Sequence, residues 1–334
     1  MRPSTRKTLI RSIITLALIA FLLYQIDVTT FLSVLSSARF LFLVPAVLLQ
    51  AALVFISVAR WRAVLRNFQI QIRFLSLAQI TWMGSFFSLF LPSSIGGDVF
   101  RAYCLAKQKK RSMATTLTTT ALERSGGLGA LLVIGVVSVF FHRIEVQGIP
   151  LLPIFLVLIT GYILANITLF NSRIHTLASR LLRRLGRESW DSKLEWVYQG
   201  LQTLSRNRGS LVLITVLSLV IQFCSVVIVW ITAHALSIKA PFTAFLIFVP
   251  LINLSIMVPL TINGFGLRES LYLLLFAEIG LQEEAAVALS LLNTLVIMLA
   301  ALPGGFVYSM YKRRERFDPV LEEADLYKAT QESP

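Results

Sequence analysis

Apolar residues run through this chain in long blocks broken by short polar punctuation, and the blocks predict helices that cross a membrane. Six of them lie at roughly 9–24, 40–59, 113–141, 150–170, 211–236 and 285–309. Two more, 74–91 and 241–258, end in a Pro-Gly interruption instead of a charged flank. The first interruption reads Pro92-Ser-Ser-Ile-Gly-Gly-Asp-Val-Phe-Arg101. The second reads Pro259-Leu-Thr-Ile-Asn-Gly-Phe-Gly-Leu-Arg268 and is followed by Glu269. Both fit P-x-[S/T]-I-x-G-x-x-x-R. Proline removes a helix hydrogen bond, glycine allows a sharp turn, and an arginine at bilayer depth costs at least about 2.5–3.5 kcal/mol. Two copies of that combination in apolar sequence are poor lipid-facing filler and mark a built feature.

Composition agrees with the block pattern. Of 334 residues, 56% are hydrophobic and only 14% charged, against roughly 25% charged in soluble domains. The formal net charge of +14 then points to anionic lipid and to the positive-inside rule, and not to nucleic acid. Cys104 and Cys224 sit in apolar stretches, and His142, His175 and His234 are scattered. No disulfide framework, metal-ligand spacing or cofactor motif follows from them.

Basic residues orient the blocks. Arg2, Arg6, Lys7 and Arg11 precede the first, which reads as a retained span with a cytoplasmic N-terminus, since no small-residue cleavage site precedes Asp27. Arg60, Trp61, Arg62 and Arg66 form a cytoplasmic exit for the second. Arg73 and Lys107 flank the first interruption on both sides, so that unit is expected to be a hairpin entering and leaving on the cytoplasmic side. The second unit lacks such flanks and reads as a hairpin entered from outside. The last span ends inside at Lys312, Arg313 and Arg314, before a polar tail, 313–334. Residues 171–209 form a basic loop with Ile174, Leu177, Leu181, Leu182 and Leu185 at helical spacing, expected to lie on headgroups. Of 31 Lys and Arg, 25 fall in proposed cytoplasmic segments, 3 in external loops and 3 in the membrane. The expected fold is therefore an all-α polytopic membrane protein of about six full spans plus two re-entrant helical hairpins, occupying residues 1–312 of an inner membrane with both termini cytoplasmic.

The two motifs are offset by 167 residues. That offset maps the block near 40–60 onto 207–227, hairpin onto hairpin, and 113–141 onto 280–308. Each mapped span runs opposite to its partner. The chain thus reads as an inverted repeat with halves at about 40–141 and 207–309, an arrangement that places transporter sites between the repeats. The ionisable residues at membrane depth are Asp98, Arg101, Glu123, Arg124, Arg268, Glu269 and Glu278. They can pin the hairpins as ion pairs, for example Asp98 to Arg124 or Glu123 to Arg268. They can also leave an arginine fork for a phosphate. Gly126, Gly127 and Gly129 suit a close helix-packing face, and Pro303-Gly304-Gly305 a kink near the end of the last span.

At Leu91–Arg101, at Leu122-Glu-Arg124 and at Pro259–Glu269 the sequence resembles the flippase-like transmembrane family, which includes the membrane region of lysylphosphatidylglycerol synthases. The positions matching its pattern are Pro92, Gly96, Gly97, Asp98, Arg101, Glu123, Arg124, Pro259, Asn263, Gly264, Gly266, Arg268 and Glu269. The resemblance implies movement of a phospholipid or lipid-linked headgroup between leaflets. Asp98, Arg101, Glu123, Arg124, Asn263, Arg268 and Glu269 would meet an anionic or lipid-linked phospholipid substrate. Pro92, Gly96, Gly97, Pro259, Gly264 and Gly266 would form the hairpin turns. Bifunctional members continue into a soluble aminoacyl-transferase domain, and the polar tail here is too short for one. No catalytic residue is expected. An intramembrane transferase, or a non-catalytic partner of a lipid-modifying enzyme, are the competing readings.

Overall fold

In the computed structural model, residues 3–91, 96–142, 145–170, 207–258 and 260–315 are described, together with scattered positions between 171 and 206. Pro92, Pro259, most of the basic loop and the tail beyond Glu315 lie outside the described residues.

The apolar blocks are helices, and the polar punctuation supplies their ends. Helix α1 spans Pro3–Gln25 and α2 Val28–Ser36. Asp27 caps α2 by accepting from the Thr29 and Thr30 backbone N–H groups at 2.8 and 3.0 Å. The Thr29 hydroxyl, then those amides, hold the Asp27 carboxyl below the usual carboxylate range. A 3₁₀ turn at Phe40–Phe42 leads into α3, Leu43–Asn67. Helices α4 (Phe74–Phe90) and α5 (Gly96–Lys109) flank the first motif, and α6 is Met113–Phe141. A two-residue hairpin, Glu145–Val146 with Ile149–Pro150, leads to α7, Leu151–Phe170. Helix α8 is Arg208–Ala235; α9 (Phe242–Met257) and α10 (Leu267–Ala277) flank the second motif; α11 is Glu283–Glu315.

Among the described residues, five helical segments are long and apolar enough to cross a membrane: 40–67 (the 3₁₀ turn with α3), α6, residues 151–168 of α7, α8 and residues 283–310 of α11. The apolar part of α1 is shorter, Ser12–Leu22, as are α4 and α9. Shifting α3, α4, α5 and α6 by 167 residues gives 210–234, 241–257, 263–276 and 280–308, close to the bounds of α8, α9, α10 and α11. Helix α3 lies along α8, α4 along both α5 and α11, α6 between α8 and α9, and α10 on α11.

Several pairs of elements meet at glycine. A Cβ on Gly97 would overlap Ser88 Oγ and the Gly84 carbonyl, so α4 and α5 cross there in near backbone contact. Gly126 faces Ser218 and Ile214 of α8, and Gly129 faces the Tyr162 ring of α7, the packing role expected of that cluster. Helix α11 continues through Pro303, and Gly304 admits the Trp82 backbone of α4. Gly97→Ala should therefore force α4 and α5 apart and destabilise by about 1–3 kcal/mol, as overpacking does. The measure is thermal unfolding in detergent, with Gly161→Ala, which meets nothing within 4 Å, as the comparison.

Candidate functional site

Two groups of charged side chains occupy the bundle. The first is built on α3, α5 and α6. Glu123, only 1% exposed, sits at its centre. Its Oε2 accepts from Arg101 Nη2 at 2.7 Å and its Oε1 from Arg60 Nη2 at 2.8 Å. The Ser57 hydroxyl adds a third donor at 2.9 Å. Arg101 also pairs with Asp98 one helical turn earlier, at 3.0 Å, and lies over the buried Trp61 ring, 4.8 Å from its centroid. Trp61 in turn donates its indole N–H to Thr119 at 3.1 Å. Asp98 Oδ2 stands at ion-pair distance from Arg124 Nε, in a direction that makes no hydrogen bond. Among the described residues of this group, three guanidiniums stand with two carboxylates.

The second group is built on the turn after α9 and on α10. Asn263, Gly264 and Gly266 all have positive φ, at 52°, 79° and 81°. This left-handed backbone suits asparagine and glycine, and it turns the chain sharply into α10. Glu269 then reaches back to the N-terminus of its own helix and accepts from the Gly266 N–H at 2.7 Å, satisfying an orphan donor. It also accepts from Arg268 Nε and from the Ser290 hydroxyl of α11, both at 3.2 Å. The Arg268 guanidinium lies over Phe265, 5.4 Å from the ring centroid. Its Nη2 is buried and makes no hydrogen bond.

Arg268 lines a cavity of about 340 Å³. The polar side chains around it come from both halves of the chain: Gln50, Ser85 and Ser88 from the first, Asn253, Asn263, Asn293 and Thr294 from the second. A neighbouring cavity of about 280 Å³ is lined by Arg60, Arg124 and Gln222. Asn253 and Ile256 of α9 line both cavities.

The structure divides the residues singled out in the sequence into two groups. Asp98, Arg101, Glu123 and Arg124 do come together, and Asn263, Arg268 and Glu269 do so separately. Asp98 pairs with Arg124 as expected, whereas Glu123 pairs with Arg101 and Arg60 and not with Arg268. Of the glycines expected in turns, Gly96 and Gly97 lie in the first turn of α5, while Gly264 and Gly266 do form a turn. Arg60, taken as a cytoplasmic exit, is 8% exposed and nearly two turns from the end of α3. Glu278, placed at membrane depth, is exposed and accepts from the Gln147 N–H of the short hairpin at 2.8 Å. Gln50, Asn253 and Asn293 are missed; their only signal is an amide inside an apolar block. Among the described residues no cluster of His, Cys, Asp and Glu is placed to hold a metal ion.

Residues 8–305 match the family described as lysylphosphatidylglycerol synthase TM region. The chain belongs to that family. It is 24% identical over 332 residues to UPF0104 membrane protein MJ1595 of Methanocaldococcus jannaschii, covering 94% of this chain and 98% of that protein. No solved structure matches. As a member of this family of membrane regions, the chain is a multi-pass membrane protein whose family points to lipid-related function, and both charged groups fall within the matched region.

Proposed function

We propose that this protein is a lipid translocase that carries a phospholipid or lipid-linked phosphate headgroup between leaflets, through the polar cavity around Arg268, while the acyl chains stay in the bilayer. The observation that carries this reading is a buried guanidinium nitrogen, Arg268 Nη2, without a hydrogen-bond partner, beside a cavity with seven polar side chains in an otherwise apolar bundle. An unpaired buried donor is costly, and a phosphate oxygen satisfies it with a charge-assisted bond that the arginine fork favours. The surrounding amides and hydroxyls replace water around the remaining oxygens.

The matching helix bounds in the two halves support an inverted repeat, 40–141 and 207–309, with each motif re-entrant. Helix α10, at 11 residues, extends roughly 16 Å, about half the hydrocarbon thickness. The basic content of 1–11, 107–111, 171–209 and 312–314 supports cytoplasmic termini in an inner membrane. It also offers the loop 171–209 to a lipid-modifying enzyme. On this reading Arg268 and Asn263 touch substrate, Glu269 positions Arg268, and Asp98, Arg101 and Glu123 hold α3, α5 and α6 together.

The test is reconstitution into phosphatidylcholine vesicles containing phosphatidylglycerol with a fluorescent acyl chain, following the fraction bleached by an impermeant reductant. Wild type should expose inner-leaflet probe that protein-free vesicles keep, and folded Arg268→Gln should not. Equal exposure by the two proteins would overturn the assignment.

A further inference from the structure

A third cavity, of about 340 Å³, lies between α6 and α7 and is mostly apolar. Thr118, Arg124 and Ser125 of α6, Tyr162, Ala165 and Asn166 of α7, and Met257 of α9 line it. It shares Arg124, Leu128 and Met257 with the Arg60 cavity, which shares Asn253 and Ile256 with the Arg268 cavity. Asn253, Ile256 and Met257 are spaced i, i+3, i+4, one face of α9. The three cavities therefore lie side by side along that face, each sharing wall residues with the next.

The outer end of this row has the form of an opening. Helix α7 packs chiefly on α6. Phe155 is fully buried against Gly135, and the Tyr162 hydroxyl donates to the Ser125 carbonyl at 3.0 Å. The lining residue Ala165 is itself exposed, and Ile163, Leu164 and Ile167 on the outer face of α7 are about half accessible, so the groove opens at the apolar surface of the bundle. Arg124 lines both the groove and the inner cavity, and its side chain is 35% exposed. The groove lies toward the end of α7 that leads into residues 171–209, where the sequence carries Arg173, Arg180, Arg183, Arg184, Arg187, Lys193, Arg206 and Arg208.

We infer that the α6–α7 groove is a lateral portal for an anionic phospholipid, drawn from the leaflet bordered by the basic loop. This rests on the translocase reading and names its route. The phosphate meets Arg124 at the mouth, with Tyr162, Ser125 and Asn166 beside the glycerol region. The acyl chains trail past Ala165 into the bilayer. The headgroup then passes Asn253 to reach Arg268. Charge selects the occupant: an arginine at the mouth of an apolar slot favours a ligand with a phosphate at one end and hydrocarbon at the other.

The experiment places p-benzoylphenylalanine at Ala165, or at Leu164 on the outward face, in protein held in phosphatidylcholine nanodiscs with or without phosphatidylglycerol. Irradiation at Ala165 should capture phosphatidylglycerol over phosphatidylcholine by about fivefold or more, a modest charge-assisted preference. Leu164 should capture both in proportion to their abundance. Arg124→Gln should abolish the preference and Arg124→Lys retain it. Excess inorganic phosphate should not compete. Equal capture at both positions, no anionic preference, or competition by free phosphate overturns the inference. In vesicles, Ala165→Trp should slow scrambling about tenfold or more, and Leu164→Trp should leave it unchanged. If Ala165→Trp scrambles at the wild-type rate while Arg268→Gln does not, the portal is wrong and the translocase stands. If wild type does not scramble, the translocase fails, and capture at Ala165 alone decides whether the groove binds anionic lipid.

Discussion

Glu123→Ala is expected to destabilise the protein by about 3–5 kcal/mol, the range for removing one partner of a buried ion pair. Glu123 neutralises Arg101 and Arg60 at once, through different oxygens, at 2.7 and 2.8 Å. Both arginines are less than a tenth exposed and are held by their helices, Arg101 also by Trp61. Without the carboxylate, among the described residues Arg60 keeps Ser218 at 3.2 Å, and Arg101 keeps Asp98 at 3.0 Å and the Trp61 ring. Glu123→Gln should be milder, since it keeps an acceptor, yet still destabilising because the charge is gone. Asp98→Ala should cost less, because its side chain is 18% exposed. Thermal unfolding in detergent ranks the three. The decisive variant replaces the whole triad, Arg60→Met, Glu123→Leu and Arg101→Met. Apolar replacement of a buried Arg-Glu-Arg set is often neutral or better, so this variant should recover most of the loss. If the triple variant is no more stable than Glu123→Ala, the network contributes more than mutual neutralisation.

The fold was largely legible because membrane helices announce themselves by length and apolarity, and because two short motifs gave an offset that the other helices follow. Helix ends were less so. Basic residues mark a cytoplasmic exit, so the sequence predicts a block 40–59 ending at Arg60, but α3 continues to Asn67 and Arg60 is buried. In Arg60-Trp61-Arg62 the first two side chains are buried and Arg62 is partly so; sequence spacing alone does not say which turn of the helix still lies inside the bundle. The site residues were legible as a set, since charges in apolar sequence are rare. Their partners were not, because a pairing depends on which helices touch. Glu123 lies opposite α3 and α5, and nothing in the spacing distinguishes Arg60 or Arg101 from Arg268 as its partner. The cavity walls were least legible. Gln50, Asn253 and Asn293 are single amides whose meaning appears only when three helices bring them together.

Arg268→Gln is expected to remove transport while sparing the fold, and the reason lies in how differently the two motif arginines are used. Arg101 gives Nη2 to Glu123 and Asp98 and is closed off by Trp61. Arg268 gives only Nε, to the adjacent Glu269, which keeps the Gly266 N–H and the Ser290 hydroxyl if Arg268 is lost. Removing Arg268 deletes an unsatisfied donor and leaves Glu269 two hydrogen bonds but no counter-charge. The variant should therefore lose clearly less stability than Glu123→Ala. Transport should fall about 10- to 150-fold, since a hydrogen bond to a charged group contributes about 1.5–3 kcal/mol. Arg268→Lys should be intermediate, keeping the charge and losing the fork. Arg101→Gln should reverse the pattern, with stability lost first and transport lost only as folded protein is lost. Ligand protection separates the cases without a transport assay. Phosphatidylglycerol that binds the folded state raises its unfolding temperature, so the lipid should protect wild type and folded Arg101→Gln but not Arg268→Gln. Equal protection of all three would show that Arg268 does not hold the headgroup. Equal loss of stability in the two variants would show that both arginines serve the fold alone.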